Sequence, residues 1–214
     1  MTPPFRDITV GNLLTNLSRA LSSRPALLYE NGPRYTFAEL EQEACLVARG
    51  LVAHGVRPKE RVVVWATNVP EWIVLQFALA KIGAILVTAN TALRARDIDY
   101  LLRQSDAATV ITIAGFRDLN YLRELEQAGA LSGSIPALRR IIYIGANPPA
   151  GVTPYERLRE LAASVSDRQL DARSAAVSVD DVINMPNAGR LMLGVNDNAI
   201  GDNSGAFTVV VAKQ

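Results

Sequence analysis

Side chains able to act as nucleophiles, proton-transfer groups or zinc ligands are scarce in this chain. Its 214 residues include one histidine, His54, and one cysteine, Cys45. These two cannot build a zinc site, which needs three or four such ligands, and a single cysteine cannot form an internal disulfide. A Ser-His-Asp triad would have to use His54, but no recognisable nucleophile motif flanks it. We therefore interpret His54 as a structural residue.

Composition and charge exclude several classes of protein. The chain is 49% hydrophobic and 20% charged, as globular proteins are, and its net charge of +1 does not predict a nucleic-acid partner. The N-terminus lacks the basic start and apolar core of a secretory signal. The most apolar stretch, residues 72–87, contains Gln76 and Lys81 and is too short to span a membrane. We expect a soluble cytoplasmic protein without an integral membrane span.

Short apolar runs alternate with helical patterns from residue 10 to about 165. The runs are rich in β-branched residues and apolar on both faces, as strands buried within a parallel sheet are. They cover residues 62–66, 85–88, 109–113 and 140–144. Helices are predicted at 37–54, 70–82, 94–105, 117–128 and 154–164, and a hairpin at 26–35. This alternation predicts an α/β fold, with a mainly parallel sheet flanked by helices.

The helix at 37–54 carries the clearest local signals. Thr36 and Glu39 have the spacing of a capping box, and Gly55 stands where a left-handed C-terminal residue is expected. His54 falls in the last turn, where a cation would complement the helix dipole. Cys45 lies beside the apolar stripe and is interpreted as a small core residue.

Residues from about 10 to 185 resemble the N-terminal part of an acyl-CoA synthetase of the AMP-binding, adenylate-forming superfamily. The order and spacing of several motifs carry this resemblance. They are RYTFAEL at 34–40, GVRPKERV at 55–62, NVPEW at 68–72, KIGAILV at 81–87, DIDYLLRQSD at 97–106 and DDVINM at 180–185. The resemblance implies that residues 1–185 are a truncated N-terminal domain of such an enzyme.

The resemblance implies an ATP-dependent ligase. In that family, ATP activates a fatty acid or other carboxylate as an acyl-adenylate, usually with Mg²⁺, and the thiol of CoA then displaces AMP. A loop rich in Ser, Thr and Gly and ending in Pro-Lys-Gly binds the phosphates, and it should begin within a few residues of Met185. Here PNAGRLMLG follows at 186–194, and no lysine lies between Lys81 and Lys213.

This departure decides which functional residues can be carried over. Arg190 could hold a phosphate only by its charge, and the family's later motifs would lie beyond the end of the chain. We therefore assign no catalytic residue and no residue that binds ATP, Mg²⁺ or CoA, and we expect the chain alone to be inactive.

Residues 186–214 have a different composition, and they predict a β-hairpin. Two apolar runs, at 191–193 and 207–212, flank a loop of Asn, Asp and Gly. LGVND at 193–197 and DNSGAF at 202–207 resemble the C-terminal end of calcium-dependent, galactose-binding bacterial lectins. The resemblance implies a calcium site at Asp197, Asp202 and Asn203, since oxygen ligands suit this cation. The alternative is a tight loop of turn residues.

Three functions remain open from the sequence. The first is an N-terminal piece of an acyl-CoA synthetase that is inactive alone. The second is a calcium- or carbohydrate-binding protein acting through the tail. The third is a non-catalytic partner that docks on a complete synthetase, or self-associates, through exposed sheet edges.

Overall fold

The chain folds into helices and strands that alternate around a parallel sheet, and the computed structural model describes residues 8–29 and 32–177. In chain order the elements are α1 (Val10–Ala20), β1 (Pro25–Leu28), β2 (Arg34–Thr36), α2 (Phe37–Ala53), β3 (Arg61–Trp65), α3 (Pro70–Lys81), β4 (Ile85–Thr88), α4 (Ala95–Gln104), β5 (Thr109–Thr112), β6 (Gly115–Phe116), β7 (Leu119–Asn120), α5 (Tyr121–Gln127), β8 (Arg140–Tyr143), β9 (Thr153–Pro154), α6 (Glu156–Leu161), a 3-10 turn (Ala162–Ser164) and α7 (Asp167–Ala175).

The central sheet has five strands in the order β4-β3-β5-β8-β9, and every neighbouring pair is parallel. Val63 of β3 stands level with Val87 of β4 and Val110 of β5, which fixes the register across the first three strands. Four of the five strands lie within a residue of the predicted runs, so the α/β prediction is confirmed.

Helices cover the sheet on both faces. Connections between parallel strands of one sheet are right-handed almost without exception. The connection from β3 to β4, which contains α3, leads towards the β4 edge of the sheet. The connections from β4 to β5 and from β5 to β8, which contain α4 and α5, lead towards the β9 edge. The two sets of helices therefore lie on opposite faces. In agreement, α3 packs against α1 and α2, and α4 packs against α5.

Local signals explain why α2 begins and ends where it does. The Glu39 backbone N–H donates to Thr36 Oγ1 at 3.3 Å, and the Thr36 N–H donates to Glu39 Oε2 at 2.8 Å, so the predicted capping box is present. The Glu39 carboxylate accepts hydrogen bonds from the Thr36 N–H and from the Thr36 hydroxyl, and these two bonds lower the pKa of Glu39. Gly55, at φ +90°, takes the left-handed conformation after the helix. Leu40, Ala44, Val47 and Leu51 are buried, as the apolar stripe predicts.

Two predicted helices have different boundaries in the structure. Residues 117–128 were predicted to be helical, but β6 and β7 pair as a small hairpin and α5 begins only at Tyr121. The Asn120 side chain caps this helix by accepting a hydrogen bond from the Arg123 N–H at 3.0 Å. Residues 154–164 divide into α6 and the 3-10 turn, and Thr153–Pro154 instead pairs with β8. The fold also continues past residue 165 into α7, where Ser166 and Gln169 form another capping box.

One predicted strand is less buried than its sequence indicates. Ile85, Leu86 and Val87 of β4 are half-buried and Thr88 is exposed, whereas Val62, Val63, Val64 and Trp65 of β3 are buried. The reason is that β4 pairs with β3 on one side and, within the described residues, has no strand on the other. The hairpin predicted for residues 186–214 lies outside the described residues. No helix of the described part is long and apolar enough to cross a membrane.

Candidate functional site

The strand order of the sheet identifies where a ligand would bind. From β3 the chain passes to β4 on one side, and from β4 it crosses over β3 to β5 on the other. The order therefore reverses between β3 and β5, and open α/β sheets bind ligands outside the carboxyl ends of the strands at such a point. We call the loops after these two strands, residues 66–69 and 113–115, the switch-point crevice.

Two stacked, buried aromatic residues adjoin the loops of the switch-point crevice. The rings of Trp65 and Tyr121 are 3.9 Å apart between centroids and inclined by 12°. Trp65 Nε1 donates to the Asn90 carbonyl at 3.0 Å, and the Tyr121 hydroxyl donates to the Thr91 carbonyl at 2.8 Å. Burial raises the pKa of Tyr121 to about 12, so its phenol remains a donor at neutral pH. The loop that follows β4 is thereby tied to β3 and α5.

A buried hydroxyl holds the carboxyl ends of β3 and β5 together. Thr112 Oγ1 lies 3.0 Å from the Trp65 carbonyl and 3.3 Å from the Ile113 carbonyl, and it can donate to either. The Ile144 N–H, just after β8, donates to the Thr112 carbonyl at 2.8 Å. These bonds join the carboxyl ends of β3, β5 and β8 beside the crevice.

The side chains that line the strand ends are chemically neutral. Residues 66–68, 89–91, 113–115 and 144–146 follow the four long strands and include no Asp, Glu, His, Cys, Lys or Arg. Thr67 is half-buried, and Asn68 and Ala114 are exposed. Such groups can orient a ligand through hydrogen bonds, but they cannot transfer a proton or attack as nucleophiles at neutral pH. The loop residues that define the crevice therefore supply no acid–base group.

The principal cluster of ionised side chains lies at the opposite end of the sheet. Glu60, which precedes β3, is buried, and its carboxylate accepts from Arg140 Nη1 at 2.5 Å and from Arg139 Nη2 at 3.1 Å. Arg140 Nη1 also lies 3.1 Å from Thr109 Oγ1. Glu60, Thr109 and Arg140 all stand at the amino ends of strands. This cluster therefore joins three strands at the end remote from the crevice and has a structural role.

His54 stands at the end of α2 beside Arg140 and has the structural position that the sequence predicts. Arg140 Nε donates to the His54 carbonyl at 3.0 Å, and Arg140 Nη2 donates to the Gly55 carbonyl. Burial and the nearby guanidinium lower the pKa of His54, which favours the neutral ring. The cation that complements the helix dipole is thus Arg140, a residue distant in sequence that helix patterning could not identify.

Lys81, which interrupts an apolar stretch of the sequence, is buried and links three helices. Lys81 of α3 is 4% exposed, and its Nζ lies 2.8 Å from Glu41 Oε1, 2.8 Å from Thr15 Oγ1 and 3.3 Å from the Gly11 carbonyl. The signal available in the sequence is a lysine that follows the apolar run 77–80 and is itself followed by Ile82, since a charge among apolar residues indicates a buried partner. Lys81 is fully engaged in packing α1, α2 and α3 together.

Cys45 adjoins this network and is half-buried. Its Sγ lies 3.6 Å from Glu41 Oε1. Burial, foremost among the causes, raises the pKa of the Cys45 thiol to about 11. The raised pKa disfavours the nucleophilic thiolate at neutral pH, in agreement with the interpretation of Cys45 as a core residue.

A concave surface of about 470 Å³ lies away from the loops of the switch-point crevice. It is lined by Arg34, Tyr35, Glu39, Gln42, Glu43, Leu46 and Arg49. Three of its charged groups already have partners, because Glu43 pairs with Arg159, Arg49 pairs with Asp167, and Glu39 caps α2. We do not assign a ligand to this surface.

The structure leaves the predicted metal site untested. Asp197, Asp202 and Asn203, proposed as calcium ligands, and Arg190 lie outside the described residues. Within residues 8–29 and 32–177, no three His, Cys, Asp or Glu side chains come together as a metal site.

Comparison with known proteins identifies the family. The family model described as "AMP-binding enzyme" matches residues 16–185. Among curated relatives, "Putative acyl-CoA synthetase YngI" of Bacillus subtilis (strain 168) is 38% identical in an alignment of 188 positions that covers 83% of this chain and 34% of that protein. "Medium-chain acyl-CoA ligase ACSF2, mitochondrial" of Danio rerio is 29% identical over 85% of this chain and 32% of its own length. The chain thus spans about a third of the length of these relatives.

The fold agrees with this assignment. The anthranilate CoA ligase AuaEII, solved with anthranoyl-AMP, superposes on 72% of this chain and 28% of its own, with a TM-score of 0.63 and 26% identity. The family match ends at residue 185, which is where the sequence departs from the family's phosphate-binding loop, and it does not extend into the tail. The chain therefore belongs to the AMP-binding enzyme family, and it represents an N-terminal part of the adenylate-forming fold.

Proposed function

We propose that this chain is the N-terminal scaffold of an AMP-forming acyl-CoA synthetase and that it does not catalyse the reaction by itself. The observation that carries the proposal is the switch-point crevice. It lies where an α/β sheet binds its ligand, and its described walls are held by Trp65, Tyr121 and Thr112, yet the strand-end residues are neutral. A scaffold that positions substrates while other segments supply charge fits this arrangement.

The overall reaction would join a carboxylic acid to CoA in two steps. The carboxylate oxygen attacks the α-phosphorus of ATP, which forms an acyl-adenylate and releases pyrophosphate. The CoA sulfur then attacks the acyl carbon, and AMP leaves. In the first step negative charge spreads over the phosphates, which requires fixed N–H donors and cations.

The described residues do not fit the magnesium ion that accompanies ATP in this family. Mg²⁺ binds oxygen ligands, with carboxylates prominent among them, and the loops after the long strands contain no carboxylate. We therefore assign no described residue to Mg²⁺ and derive no step through it. None of the residues that directly follow the four long strands supplies the charge that the reaction needs.

The sequence after Met185 supports the proposed inactivity. Residues 186–194 read PNAGRLMLG, with no Ser/Thr-Gly run, and no lysine occurs before Lys213. Because a single transition-state donor contributes roughly 10²–10³ in rate, loss of the whole loop removes adenylate formation from measurable range.

ATP–pyrophosphate exchange tests this proposal directly. The full 214-residue chain is assayed with fatty acids of several lengths and with aromatic carboxylates, and the complete Bacillus subtilis relative serves as the positive control. We expect no exchange above background from this chain. Exchange that copurifies with the chain through two different columns, at a rate near that of the control, would show that the active site is complete.

We also propose that the protein is cytoplasmic, because a single cysteine is compatible with a reducing compartment. The calcium site at Asp197, Asp202 and Asn203 and docking on a complete synthetase remain predictions.

A further inference from the structure

Tyr121 joins two of the loops that meet at the carboxyl end of the sheet. Its backbone N–H donates to the Ala114 carbonyl at 3.0 Å, in the loop that follows β5. Its hydroxyl donates to the Thr91 carbonyl at 2.8 Å, in the loop that follows β4. Because the strands are parallel, both loops lie at the same end of the sheet as the switch-point crevice. One residue therefore links a loop of the crevice to the loop on the other side of β3.

Trp65, the last residue of β3, contacts the same loop after β4. Its Nε1 donates to the Asn90 carbonyl at 3.0 Å, and its ring stacks on that of Tyr121. The Asn90 carbonyl also accepts from the Leu93 N–H at 3.2 Å, which closes a turn. The backbone of this turn is therefore held by two stacked aromatic side chains, each through one hydrogen bond to a carbonyl.

Packing alone does not explain the hydroxyl of Tyr121. Tyr121 and Trp65 are both fully buried, and a phenylalanine would provide the same stacked ring. Removing a hydroxyl from water is unfavourable unless the group finds a hydrogen-bond partner. Here the partner is the backbone of a loop beside the crevice rather than an element of the core. The hydroxyl therefore acts on the conformation of that loop.

The loop after β4 carries no charge, so its contribution to binding depends on how it is placed. Residues 89–92 are Ala, Asn, Thr and Ala, and Asn90 and Ala92 are exposed. Neutral groups bind a ligand through hydrogen bonds and close contacts, which require a defined geometry. A loop that is ordered before binding avoids the entropic cost of being ordered by the ligand.

We propose that Tyr121 is a positioning residue, whose hydroxyl holds the loop after β4 in the conformation that binds substrate at the switch-point crevice. This inference rests on the proposed function, since it concerns a substrate of the acyl-CoA synthetase reaction. Without the hydroxyl, the loop occupies the binding conformation for only part of the time, and the affinity for substrate falls by that fraction. Loss of one partner of a buried hydrogen bond corresponds to a change of roughly tenfold or more.

A chimera that joins residues 1–185 of this chain to the remainder of the Bacillus subtilis relative tests this role. The KM values for the carboxylic acid, ATP and CoA are measured together with kcat in the unsubstituted chimera and in Tyr121→Phe, which keeps the stacked ring. We expect the KM of at least one substrate to rise roughly tenfold, with kcat changed by no more than about twofold. Tyr121→4-aminophenylalanine, whose amino group can donate to the Thr91 carbonyl, should restore that KM.

Tyr155→Phe is the matched control, because it also removes the hydroxyl of a buried tyrosine. Tyr155 is 4% exposed, and among the described residues its Oη has no hydrogen-bond partner. It directly precedes α6, which packs against α2 rather than against the loops of the crevice. We expect this variant to leave all three KM values unchanged.

Amide exchange in the 214-residue chain measures the order of the loop without any activity. We expect Tyr121→Phe to speed exchange of the Leu93 N–H, which closes the turn, by roughly tenfold, while Val110 within β5 stays protected. Unchanged Leu93 exchange would overturn the proposal.

Three kinetic results would also overturn it: unchanged KM values in Tyr121→Phe, a fall in kcat alone, or an equal rise of KM in Tyr155→Phe. An unsubstituted chimera without activity would contradict the proposed function instead, and Leu93 exchange would then decide whether Tyr121 holds the loop.

Discussion

The buried ion pair between Lys81 and Glu41 provides a quantitative test of how the helical layer is held together. Lys81 Nζ is 2.8 Å from Glu41 Oε1, and the two side chains are 4% and 16% exposed. Replacing Lys81 by Met keeps the length of the side chain and removes the ammonium. Glu41 then loses its cation, and its Oε2 atom is already buried without a hydrogen-bond partner.

Breaking one side of a buried ion pair typically destabilises a protein by about 3–5 kcal/mol. We expect about 3 kcal/mol for Lys81→Met, at the lower end because Glu41 retains some contact with solvent. With a urea slope of about 2 kcal/mol/M, this change moves the unfolding midpoint down by roughly 1.5 M. Glu41→Leu should cost a similar amount, since it leaves the Lys81 ammonium buried with only Thr15 and the Gly11 carbonyl as partners.

The double variant shows whether Lys81 and Glu41 stabilise the chain as one coupled pair or as two independent contacts. Replacing a whole buried ion pair by apolar side chains of similar volume is often nearly neutral. We therefore expect Lys81→Met with Glu41→Leu to unfold within about 1 kcal/mol of the unsubstituted chain. Urea unfolding followed by tryptophan fluorescence measures all four proteins. Additive losses in the double variant, or a Lys81→Met midpoint equal to that of the unsubstituted chain, would refute the coupling.

Three further predictions concern a titration, a close helix contact and the tail. Burial and Arg140 lower the pKa of His54 in the folded chain, so the unfolded chain binds a proton at His54 more tightly. The free energy of unfolding should therefore fall as the pH drops below about 6.5. Urea midpoints at pH 8 and pH 5 should show a smaller fall in the His54→Gln variant. A Cβ on Gly50 would lie 2.2 Å from the Leu158 carbonyl oxygen, so Gly50→Ala should force α2 and α6 apart and lower stability by about 2 kcal/mol or more in the same urea assay. Calorimetric titration with millimolar calcium should give no heat, whereas binding that Asp197→Ala abolishes would establish the lectin-like site.

Local signals in the sequence were sufficient for the elements that local interactions specify. The capping box at Thr36, the left-handed Gly55 and Pro70 at the first turn of α3 were all predicted, because each acts within a few residues. The start of α5 was predicted too early. In the structure Phe116 pairs with Leu119 in a small hairpin, and the helical spacing of apolar residues gives no sign of this pairing. Sequence periodicity alone did not distinguish these alternatives.

Features that depend on distant partners could not be predicted. Arg140 contacts the end of α2 from 86 residues away and the buried Glu60 from 80 residues away, and the carboxylate partner of Lys81 lies 40 residues upstream. The burial predicted for β4 assumed a neighbour on each side, and the described chain provides one. The family's motifs identified the scaffold, while the location of the switch-point crevice required the strand order.

A chimeric enzyme tests the central claim most directly. Residues 1–185 of this chain replace the corresponding N-terminal part of the Bacillus subtilis acyl-CoA synthetase relative, which supplies its own phosphate-binding loop and all later segments. If the chain is a competent adenylate-forming scaffold, the chimera should regain ATP–pyrophosphate exchange with a carboxylic acid that the parent enzyme uses, while the 214-residue chain shows none. A chimera that folds, as judged by a cooperative unfolding transition, and yet catalyses no exchange would contradict the account.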